Sequence, residues 1–225
     1  MTWRKSSWSL VVPTLLVLSA TSPARAQAAA PSPVPNRDQG WGTATSITVG
    51  AAGAIGLLMP RIFYSDPEST VGWKARWHVS QLAPVMTLTV ITLASEYLVK
   101  PAVKDPRPGC DSSNTPGQNC ETYGSPSTHA LGAFSALGQG TAVWLFDMTK
   151  WSDGRFNAGS FIGNVAAPLV LAGITDVGRA AGNWETGKQI VIGSVVGAAV
   201  GFFSGMAYSL MARPECGYTG SMICW

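Results

Sequence analysis

Five apolar stretches run along the chain, at Thr43–Pro60, Gln81–Val99, Ala130–Phe146, Ser160–Val177 and Gln189–Met211. Each approaches the ~20 residues a helix needs to cross a hydrocarbon core. Polar and turn-forming segments separate them, so the pattern predicts an all-α bundle of five core helices. Ala, Gly, Ser and Thr dilute the stretches, and a soluble helical bundle would carry a similar pattern; the reading adopted is a membrane bundle. Gly193, Gly197, Gly201 and Gly205 recur every four residues and therefore line one face of the last helix, where a neighbouring helix can approach closely. Gly132, Ala136 and Gly140 repeat the pattern on the third.

The ends divide differently. Residues 1–26 read as a signal peptide or a retained signal anchor, which would be a sixth helix. Arg4 and Lys5 precede an apolar run, and Ala24-Arg25-Ala26 supplies small residues for cleavage. Residues 27–42 hold the run Ala-Ala-Ala-Pro-Ser-Pro-Val-Pro and read as an extended tether. The helical domain is expected over 43–212, followed by a cysteine-containing tail over 213–225.

Composition supports this division. Hydrophobic residues make up 46% of the 225 and charged residues only 12%, about half the charge of an ordinary soluble domain, which excludes a disordered chain. Without Arg4, Lys5 and Arg25 the rest of the chain is neutral, with 12 basic and 12 acidic residues. A nucleic-acid partner is therefore not expected, because phosphate neutralisation needs a basic surplus.

A chain emerging outside at Gln27 and crossing five times places residues 100–128 and 178–188 outside and residues 61–79 and 147–159 inside. Basic residues then tie at six on each side, so positive-inside counting settles orientation only if some outer cations have another task. Three clusters on the outer side suggest one: Lys100 with Arg107-Pro108, then Pro126-Ser127-Thr128-His129 opening the third helix, then Gly178-Arg179 ending the fourth. Guanidinium forks, an ammonium and a helix N-terminus are what a phosphate-type oxyanion needs.

The spacing Lys-x6-Arg-Pro, Pro-Ser-x-His and a small residue before Arg resembles the signature of the type 2 phosphatidic acid phosphatases, relatives of the vanadium haloperoxidases. Thr128 stands where the signature has Gly, and Gly178 where it has Ser. The resemblance implies an all-α bundle that hydrolyses lipid or isoprenoid phosphates and diphosphates at the outer face of the cell-envelope membrane, with no metal and no cofactor. It further implies that Lys100, Arg107, Ser127, Thr128 and Arg179 hold phosphate oxygens. His129 would be the general acid. In the third motif the nucleophilic His is followed four residues later by an orienting Asp; counted from Arg179, those positions hold Glu185 and Gln189. Glu185 is thus the candidate in the nucleophile's place, and two classes stay open: a phosphohydrolase with an unusual third motif, or an impaired relative that binds phosphate headgroups or partner proteins.

Other residues have milder readings. His78, the second of only two histidines, precedes the second helix and reads as interfacial. Glu96 is four residues before Lys100 and can meet it on one helix face. Asp176 is three before Arg179 and either orients that guanidinium or caps the helix. Cys110 and Cys120 are expected to form a disulfide in the outer loop; Cys216 and Cys224 are left unassigned.

Overall fold

The computed structural model describes residues 37–63, 86–110, 120, 122–146, 148–149, 156 and 158–211. The signal segment, most of the tether, His78, Cys216 and Cys224 lie outside them. The described residues form helices and no strand: α1 Gln39–Phe63, α2 over residues 86–103, α3 Thr128–Phe146, α4 Ala158–Ala181 and α5 Gly187–Met211. All five coincide with the five apolar stretches.

The helix ends follow from local chemistry. Asp38 Oδ1 accepts hydrogen bonds from the N–H groups of Gly40 (2.8 Å) and Trp41 (3.2 Å), satisfying donors that a first turn leaves unpaired. Helix α1 therefore begins at Gln39, inside the stretch read as tether. Ser127 caps α3 by accepting from Ala130 N–H at 3.1 Å. Thr186 and Gln189 form a reciprocal capping box at the start of α5. Thr186 N–H donates to Gln189 Oε1 at 2.9 Å, and Gln189 N–H donates to Thr186 Oγ1 at 3.3 Å.

Helices α2 and α4 widen locally. In α4, a π-helical turn at Ile162–Ala166 ends two residues before Pro168, whose missing N–H cannot serve the Asn164 carbonyl four residues back. In α2, a π-helical turn at Ser95–Val99 runs into Lys100–Val103, and Lys104 ends the helix in the left-handed region at φ 54°.

The most extensive interface joins α3 to α5. A Cβ at Gly193, Gly197, Gly201 or Gly205 would meet the carbonyl oxygens of Ser127, Leu131, Ser135 and Gln139 in turn, so two i, i+4 rows lie against each other in register. Ser135 Oγ adds a 3.0 Å bond to the Gly197 carbonyl. Gly140 meets Asn164 of α4 in the same way. Helix α1 lies against α4 through a 2.8 Å hydrogen bond between Thr48 and Thr175 and through Trp41 and Thr45 over Gly178. Thr87 of α2 is hydrogen-bonded to Tyr208 of α5.

The bundle presents apolar side chains outward. Tyr97, Val177, Val195 and Phe203 are all more than 60% exposed. Ala158–Ala181 and Gly187–Leu210 are long and apolar enough to cross a membrane, and only a third of each is buried within the protein. The core helix of a water-soluble protein would be mostly buried, whereas these faces suit a lipid solvent.

The close contact makes a discriminating prediction. Gly201→Ala should cost about 1–3 kcal/mol because its methyl group meets the Ser135 carbonyl. Gly173→Ala on α4 has open space around it and should be neutral or slightly stabilising. Thermal unfolding of both variants in a mild detergent checks this; equal effects would contradict the packing.

Candidate active site

The site lies where the ends of α2, α3, α4 and α5 meet. Arg179 is in the last turn of α4. The chain then turns through Gly182 and Asn183, whose φ of 56° is a left-handed value that asparagine tolerates. Trp184 N–H returns to the Arg179 carbonyl at 3.1 Å. This reversal brings Glu185 back onto the guanidinium of Arg179.

Glu185 is the centre of the cluster, with a fully buried side chain. Arg179 Nη2 donates to its Oε1 at 2.9 Å and Arg179 Nε to its Oε2 at 3.1 Å, the two-pronged geometry that gives Arg–carboxylate pairs their strength. The Ser127 hydroxyl donates a short hydrogen bond to Oε2, and Arg107 Nη1 stands 3.7 Å from Oε1. Burial by itself would raise the Glu185 carboxyl. The hydrogen bonds and charge of Arg179, the Ser127 bond and the Arg107 charge overcome it and hold the group below its ordinary value of 4.5.

The remaining sequence-identified residues form the surrounding shell. Arg107 Nε donates to the Thr122 carbonyl (3.1 Å) and hydroxyl (3.0 Å), and its Nη1 to the Trp184 carbonyl (3.1 Å). Lys100, buried in the π-widened end of α2, donates to Glu96 at 2.6 Å and to Thr128 Oγ1 at 3.4 Å. The i, i+4 pairing with Glu96 is thus formed. His129 Nε2 is hydrogen-bonded to Ser46 of α1 at 3.1 Å, and its Nδ1 is buried without a partner, so neither ring nitrogen is bonded to Glu185. Asp176 serves neither role considered for it, because its Oδ2 accepts from Ser194 of α5 at 3.0 Å.

Gln189 has been absorbed into structure. Besides the capping box, its Nε2 donates to the Pro106 carbonyl (2.8 Å) and to Asp105 Oδ2 (3.2 Å), and its side chain lies against Gly124. It therefore ties α5 to the loop that carries Arg107. The disulfide Cys110–Cys120, with Cα atoms 5.6 Å apart, closes the far side of that loop.

Sequence reading missed two participants. Ser46 meets His129 only because α1 packs beside α3. Arg37 lies 5.4 Å from the Trp184 ring centre, Arg179 lies 5.0 Å from the same ring, and Arg37 also donates to Cys110 Sγ at 3.4 Å. Burial first, then repulsion by Arg107 and Arg179, lowers the Arg37 pKa. The one local signal was the Asp38 cap, which predicts that Arg37 sits at a helix entry. No group of His, Cys, Asp and Glu among the described residues is arranged to hold a metal ion.

The three motifs are gathered at one end of a helical bundle. The PAP2 superfamily model matches residues 81–210. The chain belongs to that superfamily, whose activity is of phosphatase type on phosphorylated substrates. No curated protein and no solved structure matches the chain.

The Glu185 cluster has a pH signature. A carboxyl held below its ordinary value contributes stability above that value and loses it as pH falls through the folded-state pKa. Removing one partner of a buried pair costs about 3–5 kcal/mol. Glu185→Gln should therefore be less stable than the natural protein by about that amount at pH 7. The gap should close as the pH falls below the ordinary carboxylate range, where Glu185 itself takes up a proton. Thermal unfolding of both proteins across pH checks this, and a gap that persists unchanged into acid would contradict it.

Proposed function

We propose that this is a membrane protein that takes the terminal phosphate of a lipid phosphate or diphosphate into the Lys100, Arg107, Ser127 and Arg179 cluster, at the outer face of a cell-envelope membrane. One observation carries the reading: a buried carboxylate is already held there by an arginine fork and a serine hydroxyl. Donors arranged in this way serve a tetrahedral oxyanion equally well. Lys100 and Arg107 add charge, Thr128 steadies Lys100, and His129 at the start of α3 is the group placed to protonate a leaving oxygen.

Hydrolysis through a covalent phosphoenzyme needs a nucleophile, and Glu185 stands in that place. A carboxylate pinned by two arginines is a weak nucleophile, and it repels the anion it would attack. The protein therefore binds phosphate headgroups and turns them over slowly.

Purified protein should release phosphate from phosphatidate or an isoprenoid diphosphate only slowly, and Arg107→Gln or Arg179→Gln should weaken ligand binding by about 1.5–3 kcal/mol. Glu185→His with Gln189→Asp should raise turnover, because an imidazole oriented by a carboxylate is a competent nucleophile. Gln189→Asp also removes half of the capping box, at about 1 kcal/mol, and the Gln189 bonds to Asp105 and Pro106, so the double variant should be less stable than the natural protein by more than the loss of the Glu185 carboxylate alone. Brisk turnover by the natural protein that vanishes in Glu185→Gln would instead assign Glu185 a covalent role.

Orientation is tested separately. Single cysteines placed at Ser113 and Ser152 in a background without other reactive thiols should differ, with an impermeant reagent added outside labelling position 113 alone. Labelling of both, or of 152 alone, would overturn the outward-facing site.

A further inference from the structure

Glu185 commits both of its oxygens without satisfying the cluster. Oε1 and Oε2 are engaged by Arg179, and Oε2 also by Ser127. Arg107 Nη1, at 3.7 Å, is paired by charge but is beyond hydrogen-bond distance. Two oxygens and one negative charge are all that a carboxylate can offer to two guanidinium groups and a hydroxyl.

We propose that Glu185 is the specificity-determining residue of this site: a resident carboxylate that an incoming ligand must displace, so that terminal phosphates enter and phosphodiester headgroups do not. This rests on reading the cluster as a phosphate cradle.

The selection follows from counting oxygens and charges. A terminal phosphate has three non-bridging oxygens and a charge of about −1.5 to −2 at pH 7. It can replace both oxygens of Glu185 and turn a third toward Arg107, converting a distant ion pair into a charge-assisted hydrogen bond. A phosphodiester has two such oxygens and one charge, the same as the carboxylate it must expel. Glu185 has the further advantage of being tethered, which gives it an effective concentration in the millimolar range or above. A diester therefore gains no contact on exchange and loses translational freedom. The lipids that surround a membrane protein carry mostly phosphodiester headgroups, so an unguarded cradle of cations would be occupied by them. The resident carboxylate sets a threshold that only a dianion passes.

The carboxylate can leave without dismantling the loop. Trp184, its neighbour, is held independently by its Nε1–H to the Asp38 carbonyl at 2.9 Å and by stacking with Arg37 and Arg179. Thr186 is held by the capping box. Exchange then requires rotation of one side chain between two fixed points.

The test uses purified full-length protein in dodecyl maltoside, with orthophosphate and dimethyl phosphate as probes, read by calorimetry and by ligand-induced thermal shift. The natural protein should bind orthophosphate and not dimethyl phosphate. Glu185→Gln should bind orthophosphate about tenfold or more tightly than the natural protein and should also accept dimethyl phosphate. Glu185→Asp, which keeps the charge but is too short to fill the Arg179 fork, should move in the same direction and guards against a folding failure of the glutamine variant. Equal orthophosphate affinity in the natural protein and both variants would overturn the threshold while leaving the cradle intact. Dimethyl phosphate binding to the natural protein as tightly as orthophosphate would do the same. No orthophosphate binding by any of the three folded proteins would remove the cradle and this inference with it.

Discussion

The buried ion pair between Arg179 and Glu185 is the constraint on which this end of the bundle depends. Burying a guanidinium is costly unless its charge is matched and its donors are used. Here three elements bring cations to one place: Arg107 from the loop after α2, Lys100 from the end of α2, and Arg179 from the end of α4. Lys100 has Glu96. The two arginines share Glu185, and Ser127, which caps α3, completes the coordination of that carboxylate. Taking Glu185 away without a substitute would leave Arg107 and Arg179 repelling each other in a low-dielectric pocket. An anion between the two arginines therefore stabilises this end of the bundle, and the proposed phosphate binding rests on the same electrostatic demand.

The helices hold this chemistry in register through contacts that have no charge at all. The first glycine of the α5 row, Gly193, lies against the carbonyl of Ser127, and the Ser127 N–H donates to the Gln189 carbonyl at 3.0 Å. The residue that donates to Glu185 is thus fastened to the first turn of the helix that follows Glu185. A shift of one glycine along the α3–α5 interface would move Ser127 by four residues of helical rise, about 6 Å. Stability of the helix packing and geometry at the site are consequently one property, because the row that allows close approach also fixes the distance between Ser127 and the first turn of α5.

Much of this was legible in the sequence. The five apolar lengths gave all five helices, because a helix that must match a hydrocarbon thickness has little freedom in where it starts and stops. The three clusters with Lys100, Arg107, Ser127, His129 and Arg179 were legible because each sits at a helix end next to a proline or a small residue. The partnership of Glu185 with Arg179 was not. Six residues is no helical spacing, and the contact exists only because Gly182 and Asn183 reverse the chain. Arg37 and Ser46 were equally hidden, since they precede the family match and reach the site through the packing of α1, which no local pattern encodes. The start of α1 was missed for a simpler reason: the proline-rich run before it masked the capping signal of Asp38.

The two departures from the phosphatase signature make sense together. The signature has a neutral imidazole at the first position and a carboxylate at the second; this chain has a carboxylate at the first, Glu185, and a neutral amide at the second, Gln189. The number of negative charges is unchanged, and what has moved is their place. A carboxylate at 189 would lie beside Asp105, whose Oδ2 already accepts from the Gln189 amide, and would be repelled by it. The amide instead donates to Asp105 and to the Pro106 carbonyl, while its oxygen caps α5. Moving the charge to 185 places it directly between the arginines. Either change alone would leave the site with one carboxylate too many or too few, so the pair preserves the electrostatic balance of the cradle while removing the orienting partner that an imidazole nucleophile would need. The same charge count in an altered place is the reason the proposed reading is one of holding a phosphate and not of attacking it.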